Sequence, residues 1–482
     1  MKINFFAVLL CLVSLSVGCS GSGTSSSADA APSSAQSMPP SGSPAQSDPP
    51  PPPGSPPPVS INNPGSGNTT PVSAPSNGPV LPGGRFGFAY PYFSDEGSGV
   101  STAEGFISFF AGAKHNPDWF DYRAARGQDI RALNPRGMYF KHVNLRILDS
   151  RHRGRTGRSL DGLPDHDWIH ANHPEWIVRD REGKTVPLYL PEEQILDFGN
   201  DAYLDWVVNT WMPQQLFDNV DKNAAVIYLQ HDNGNFRGQD IKCAPNDKVC
   251  ERYTTDAGVQ GAWLNMLKRV RQAFPKVRII ISTGPNTYTD PDYQMEIFKK
   301  ILSAADGYYG ENLTDRHVYW KNASPGEKRV ALETTIRLAA WLSENDKIFM
   351  PIEGQYDGIP LSQDDTDYAF AFFNLLRTSS EKQFFSKLTI GANGNWVPDE
   401  YPEMFLPLGA PIEEAKQISV NMYRRNYELA VAYVNLSDAP VTINLPGSPL
   451  KNSRGATVSK ITLKSFGGIT LYKSPCSPPV PL

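Results

Sequence analysis

AAVIYLQHDNGN, residues 224–235, is the stretch that decides how this chain folds. It is an apolar run that breaks abruptly into His231, Asp232, Asn233 and Asn235. Ala225 to Leu229 are too few for a buried helix and are rich in β-branched and aromatic residues. They predict a strand buried on both faces. A carboxylate at the carboxyl tip of such a strand stands where parallel α/β folds collect their polar ligand-facing groups. ADGYYGENL (305–313) repeats the design, with Glu311 and Asn312 at its tip.

Working outward, eight strand-like runs lie between Arg85 and Leu408: RFGFAYPYF (85–93), GMYFKHVNL (137–145), QILDFGN (194–200), AAVIYLQHD (224–232), VRIIISTGPN (277–286), ADGYYGENL, KIFMPIEGQ (347–355) and KLTIGANGNW (387–396). Helical patterns separate them, clearest at 202–217, 261–274, 327–344 and 366–378. The last follows Ser362 with Asp364, Asp365 and Asp367, acids that suit a helix amino terminus. Strands alternating with helices predict a parallel sheet, and eight repeats predict an α/β fold of the (β/α)8 TIM-barrel type over 85–410. A Rossmann-type sheet is the alternative, but no GxGxxG turn follows the first strand. From 411 to 475 apolar and polar residues alternate between turns, which predicts a small antiparallel β-domain.

In such a barrel the strand tips converge on one pocket. Tyr90 and Tyr92 end the first run, Lys141 and His142 the second, and Asp197 the third. Glu353 and Gln355 end the seventh and Trp396 the eighth. One acid at a strand end is commonly a turn former or cap. A whole set of polar tips on buried strands is costly unless a polar ligand sits there. Two carboxylates on separate tips are the minimal equipment for breaking a glycosidic bond. Asp232, among polar neighbours, suits the nucleophile. Glu311, after Tyr308 and Tyr309, suits the acid. Glu353 is the rival for either role, against a hydrogen bond to substrate hydroxyls or a neighbouring Lys. The expected substrate contacts are Tyr90, Tyr92, His142, His231, Asn233, Asn235, Asn312, Glu353, Gln355 and Trp396.

The amino terminus, residues 1–18, reads as an export signal of lipoprotein type, with Cys19 as the acylated residue; plain secretion with cleavage near Gly18 is the alternative. Residues 19–84 hold 17 of the 43 prolines, and no Lys or Arg occurs from Ile3 to Gly84. Such a Pro/Ser/Gly-rich composition predicts a disordered tether spanning roughly 45 Å on average. A cell-envelope or extracellular location is expected, with membrane contact only through Cys19. Net charge is −5, which does not point to nucleic acid, and a monomer is expected. In an exported protein Cys243 and Cys250 read as a short disulfide, with a metal pair as the alternative.

His166, His170 and His173 in DHDWIHANHPEW (165–176) invite a metal reading. The spacing is not HExxH and Pro174 interrupts the helix, so a loop over the barrel mouth is the competing account, and no metal or organic cofactor is expected. Trp168 and Trp176 there suit either sugar stacking or packing.

HPEWIVRDREGKTV, ILDFGNDAYLDWVVNTW and AAVIYLQHDNGN, with DGYYGENL and the tail YELAVAYVNLSDAPVTINL and ITLKSFGGITLYK, resemble a family of bacterial glycoside hydrolase barrels. The resemblance is closest to hypothetical glycosyl hydrolase family 15 and covers about residues 85–473. More distantly the chain is similar to glycoside hydrolase family 66 dextranases and to endo-polygalactosaminidase-like barrels. In the dextranase-type barrels an Asp after the fourth strand is the nucleophile and a Glu after the sixth the acid/base. That carries over to Asp232 and Glu311, although AAVIYLQHD replaces the usual "GvDGif.D" at the fourth strand. The resemblance implies a retaining glycoside hydrolase acting on a polysaccharide or oligosaccharide. The rivals are a non-catalytic glycan-binding surface lipoprotein and a metal-dependent deacetylase or esterase built on the His166 cluster.

Overall fold

The computed structural model describes residues 87–90, 119–121, 138–150, 164–187, 192–213, 226–229, 248–282, 290–310, 313–314, 323–354, 361–378, 382–390, 396–398, 403, 406–445 and 449–473. They form a mixed α/β structure. The strands are β1 (Gly87–Tyr90), β2 (Trp119–Asp121), β3 (Met138–Val143), β4 (Ile147–Asp149), β5 (Glu193–Ile195), β6 (Val226–Leu229), β7 (Arg278–Ser282), β8 (Gly307–Gly310), β9 (Ile348–Gly354), β10 (Phe384–Ile390) and β11 (Trp396–Pro398). The largest sheet runs in the order β1-β2-β3-β6-β7-β8-β9-β10-β11. Every pairing from β1 through to β10 is parallel, and β1 also pairs parallel with β10. Only β11 joins antiparallel, on β10.

Two sequence expectations are corrected. Of QILDFGN only Gln194 and Ile195 lie in a strand, β5, and that strand pairs antiparallel with β4 outside the large sheet. β3 pairs directly with β6, where QILDFGN was expected to intervene, and the count is restored by β2 between β1 and β3, the three residues WFD, which are too short to register as an alternating run. The two errors cancel in the count, so β6 remains the fourth parallel strand and β8 the sixth.

The middle of the sheet is buried on both faces, as parallel strands flanked by helices require. Ile279, Ile281, Tyr308, Phe349 and Phe385 belong to the core shared with the helices. Ile280, Tyr309, Met350 and Ile352, one residue out of step, are equally buried on the other face. At Gly307 a Cβ would come within 2.5 Å of the Ile348 Cβ, so β8 and β9 approach too closely there for any side chain.

The helices are α1 (His166–Asn172), α2 (Asp201–Trp206, continued by one π turn, Val207–Trp211), α3 (Lys248–Arg252), α4 (Asp256–Ala273), α5 (Pro291–Leu302), α6 (Pro325–Glu344) and α7 (Gln363–Leu376). Their starts are written in the sequence. Ser324 and Ser362 close capping boxes with Glu327 and Asp365, while Thr255 and Asp290 cap α4 and α5.

The tail adds β12 (Lys416–Ser419), β13 (Met422–Asn426), β14 (Ala430–Asn435), β15 (Val441–Asn444), β16 (Leu450–Lys451), β17 (Thr457–Val458), β18 (Lys460–Leu463) and β19 (Gly467–Tyr472). They make antiparallel sheets, β12-β13-β14-β19-β16-β17 and β15-β18. α7 lies between the two halves and is buried nearly all round, as its apolar sequence demands. Phe370 and Phe373 meet Phe385 of β10, at 6.1 and 5.1 Å between ring centroids. On its other side a Cβ at Gly468 of β19 would reach within 2.9 Å of the Ala371 Cβ. The last turn of a helix leaves carbonyls without partners. Here the tail supplies them: Arg425 donates to Leu375 O at 2.9 Å and the Tyr427 hydroxyl donates to Asn374 O. Burial pushes the Tyr427 phenol up to about 12, which keeps it a donor.

Candidate functional site

The carboxyl ends of the parallel strands carry the polar residues. β3 runs into Asn144 and Arg146, both buried; Asn144 Oδ1 accepts from the Arg146 amide at 3.1 Å, and the Arg146 guanidinium lies 6.0 Å over the Phe198 ring. After β8 the chain is fastened to the end of β9 at two levels. The Leu313 amide donates to Ile352 O at 2.8 Å. Glu353 Oε2 accepts from the Thr314 amide at 2.8 Å and from the Thr314 hydroxyl at 2.7 Å. Glu353 is only 3% exposed. It shares the strand parity of Phe349, which belongs to the helix-side core, rather than that of Met350 and Ile352. It anchors the backbone at Thr314, beyond β8.

Asn144 and Thr314 were not anticipated from the sequence. Asn144 carries the signal used elsewhere, a polar residue directly after an apolar strand. Thr314 has none, because its partner is 39 residues away.

Most expected site residues lie outside the described residues: Tyr92, His231, Asp232, Asn233, Asn235, Glu311, Asn312 and Gln355, together with Cys19 and Cys243. Tyr90, His142 and Trp396 are placed by backbone, at the end of β1, within β3 and at the start of β11. Cys250 is in a disulfide and fully buried in α3.

Asp197 is corrected from a pocket residue to a structural one. It is fully buried, accepts from the Tyr253 hydroxyl at 2.7 Å, and pairs with Arg252. Burial, then the Asp197 charge, drive the Tyr253 phenol well above its ordinary value.

The three histidines of the 165–176 segment are engaged locally. His170 Nε2 meets Gln194 Oε1 at 2.9 Å, and His166 Nδ1 meets Asp167 Oδ1 at 3.0 Å. His173 Nδ1 bonds Glu175 at 3.0 Å and holds that carboxyl below its usual range. Among the described residues no group of three or more His, Cys, Asp or Glu is arranged to hold a metal ion.

A pocket of about 490 Å³ lies elsewhere, lined by Ala340, Ser343, Glu344, Thr378, Ile412 and Arg425 among others. Ser343 and Glu344 end α6 just before β9 begins, so this pocket sits toward the amino ends of the strands, away from the tips where parallel α/β enzymes act.

Parallel strands with polar carboxyl ends, alternating with helices, are the frame on which glycoside hydrolases are built, and this chain is one of them. It belongs to hypothetical glycosyl hydrolase family 15, whose match spans residues 131–431. No curated protein matches it. Similar solved structures include a noncanonic maltogenic alpha-amylase AmyB from Thermotoga neapolitana, at 12% identity over 81% of this chain and 97% of that one, with a TM-score of 0.42. The glycoside hydrolase domain of PelA from Pseudomonas aeruginosa is 11% identical over 65% and 98%, with a TM-score of 0.37. An endo-1,4-beta-xylanase from Caldicellulosiruptor owensensis is 9% identical over 64% and 85%, at 0.32.

Proposed function

We propose that the chain hydrolyses a polysaccharide or oligosaccharide with retention of configuration, on a closed (β/α)8 barrel over 85–410 followed by a β-domain over 411–475. Asp232 attacks the anomeric carbon and forms a glycosyl ester. Glu311 protonates the departing glycosidic oxygen, then takes a proton from the water that releases the sugar. The observation that carries this reading is the order of strand pairing. β6 is the fourth parallel strand and β8 the sixth, so Asp232 and Glu311, three and one residues beyond them, follow the strands whose ends bear the paired carboxylates in the barrels this sequence resembles. Glu353, bonded to Thr314, fixes the backbone three residues beyond Glu311 in the chain. Export by a lipoprotein signal, with Cys19 acylated and residues 19–84 as tether, would place the enzyme at the cell envelope, where polymeric glycans are met.

The test is the anomer of the first-formed product, read by proton NMR on a glycan that the purified protein cleaves. The retained anomer is expected; the inverted anomer would remove the covalent step. Glu311→Gln should lower kcat by roughly 10²–10⁴-fold, the usual worth of a positioned acid–base group. An Asp232→Asn or Glu311→Gln enzyme with wild-type turnover would take the roles away from these residues.

A further inference from the structure

Four of the nine tryptophans, Trp168, Trp176, Trp206 and Trp211, gather where α1 meets α2. Two of them are core residues: Trp176 is 3% exposed and Trp211 5%. Trp168 is not, at 38%. Its ring stacks on the half-buried Trp206, 4.9 Å between centroids and 13° from parallel. Its backbone is fixed in the first turn of α1, where its amide donates to the cap residue Asp165 at 2.7 Å and Asn172 Nδ2 donates to its carbonyl at 2.9 Å.

The support beneath is specially built. Residues five apart on an α-helix point about 140° away from each other. Immediately after Trp206, α2 widens into a π turn, Val207–Trp211, and the Trp206 and Trp211 rings come to 6.4 Å. Single π turns of this sort are uncommon and concentrate at functional sites. Here the turn carries the buried Trp211 beside the half-buried Trp206 on which Trp168 stacks.

We propose that Trp168, backed by Trp206, is a surface platform that stacks against the apolar C–H face of a neutral glycan chain. The ligand class follows from two facts. The protein is a glycoside hydrolase, so extended glycans are what it meets. The exposed charges near the rings are mainly acidic: Asp167 precedes Trp168, Glu175 precedes Trp176 and pairs with His173, and Asp201 and Asp205 precede Trp206, where Arg269 from α4 pairs with both. Such a rim accepts hydrogen bonds from sugar hydroxyls and repels polyuronates. α1 and α2 both lie in the connection that leaves the carboxyl end of β3. A chain bound there stays tethered to the protein while its ends exchange at the strand tips.

Affinity electrophoresis of the full chain through gels containing starch, dextran, mixed-linkage β-glucan, xylan or galactomannan tests this, with polygalacturonate as the acidic comparison. At least one neutral polymer should retard the protein and polygalacturonate should not. Trp168→Ala should bind that polymer about tenfold more weakly, and Trp168→Phe should retain part of the affinity. Trp168→Leu keeps apolar cover over Trp206 without a flat ring, so it makes the same comparison should the alanine variant fail to fold. The proposal is overturned if no neutral polymer retards the wild type, or if the folded Ala or Leu variant is retarded as strongly as the wild type. The readout is binding, so it does not depend on the roles given to Asp232 and Glu311.

Discussion

The segments around Asp197 and Glu353 look alike in sequence, each a short apolar run ending in an acid, and the fold uses them in opposite ways. Asp197 lies off the large sheet and is neutralised by the Arg252 guanidinium, with Tyr253 as a second donor. Glu353 lies on the sheet, and the donors on its Oε2 are the uncharged amide and hydroxyl of Thr314. The first acid locks an outer layer in place; the second fixes the backbone of a strand-end turn. A carboxylate at the end of an apolar run therefore has no fixed meaning until its strand's partners are known.

Removing each acid tests that difference. Asp197→Ala leaves Arg252 and Tyr253 without their shared acceptor. Breaking a buried ion pair from one side costs about 3–5 kcal/mol, and because Arg252 is 32% exposed the lower end is expected. Urea denaturation measures it; a loss below about 1 kcal/mol would show that the pair is not what holds α3 against the 197–199 turn.

The disulfide at Cys250 belongs to the same region, since α3 continues directly into Arg252 and Tyr253. If Cys243 is its partner, the closed loop is short and the bond stabilises by about 2–3 kcal/mol. Cys243→Ser, Cys250→Ser and the double variant should then fall by the same amount. Additive losses would break the pairing.

How much of this was open to reading from the sequence differs between the two regions. The strands β7 to β9 were legible because each is a compact apolar run buried on both faces, and β6 because its run is equally apolar. β2 was not, since WFD is only three residues long and its flanks are polar. QILDFGN was legible as a strand only in Gln194 and Ile195, and alternation says nothing about a strand's neighbour, here β4. The capping boxes of α6 and α7 are local, and the acids behind Ser362 announced one of them. The Glu353–Thr314 bond is not local, and neither is the sorting of the tryptophans. Trp168 and Trp176 sit eight residues apart in one motif and both meet Trp206 of α2, yet one is open and the other buried.

Glu353→Gln sharpens the contrast from the other side. The amide keeps the size of the side chain but can present a donor toward Thr314 where an acceptor is needed. One mismatched buried hydrogen bond costs about 1–3 kcal/mol, less than the loss at Asp197. Turnover per folded molecule should fall far less than in Glu311→Gln, because Glu353 acts through the turn. If Glu353→Gln instead lost 10²-fold or more while remaining folded, Glu353 would take over a catalytic role.

The smallest effect belongs to a third kind of carboxylate, one at the rim. Glu413 bonds Lys416, Arg424 and Asn426 on the edge of the tail sheet, and its side chain is 19% exposed. The hydrogen bond from Lys416 foremost holds its carboxyl below the ordinary value; burial opposes it, and Arg424 adds to the lowering. The unfolded chain binds the proton more readily than the folded one. The stabilisation is therefore fully present above the ordinary carboxylate range, near pH ~4.3, and is lost as pH falls through the lower folded value. Denaturant titrations between pH 3 and 6 should show a shallow loss on the acid side that Glu413→Gln flattens. Asp197→Ala should leave that slope at Glu413 untouched, since the two acids share no partner. A slope that Glu413→Gln leaves unchanged would take the acid sensitivity away from the rim.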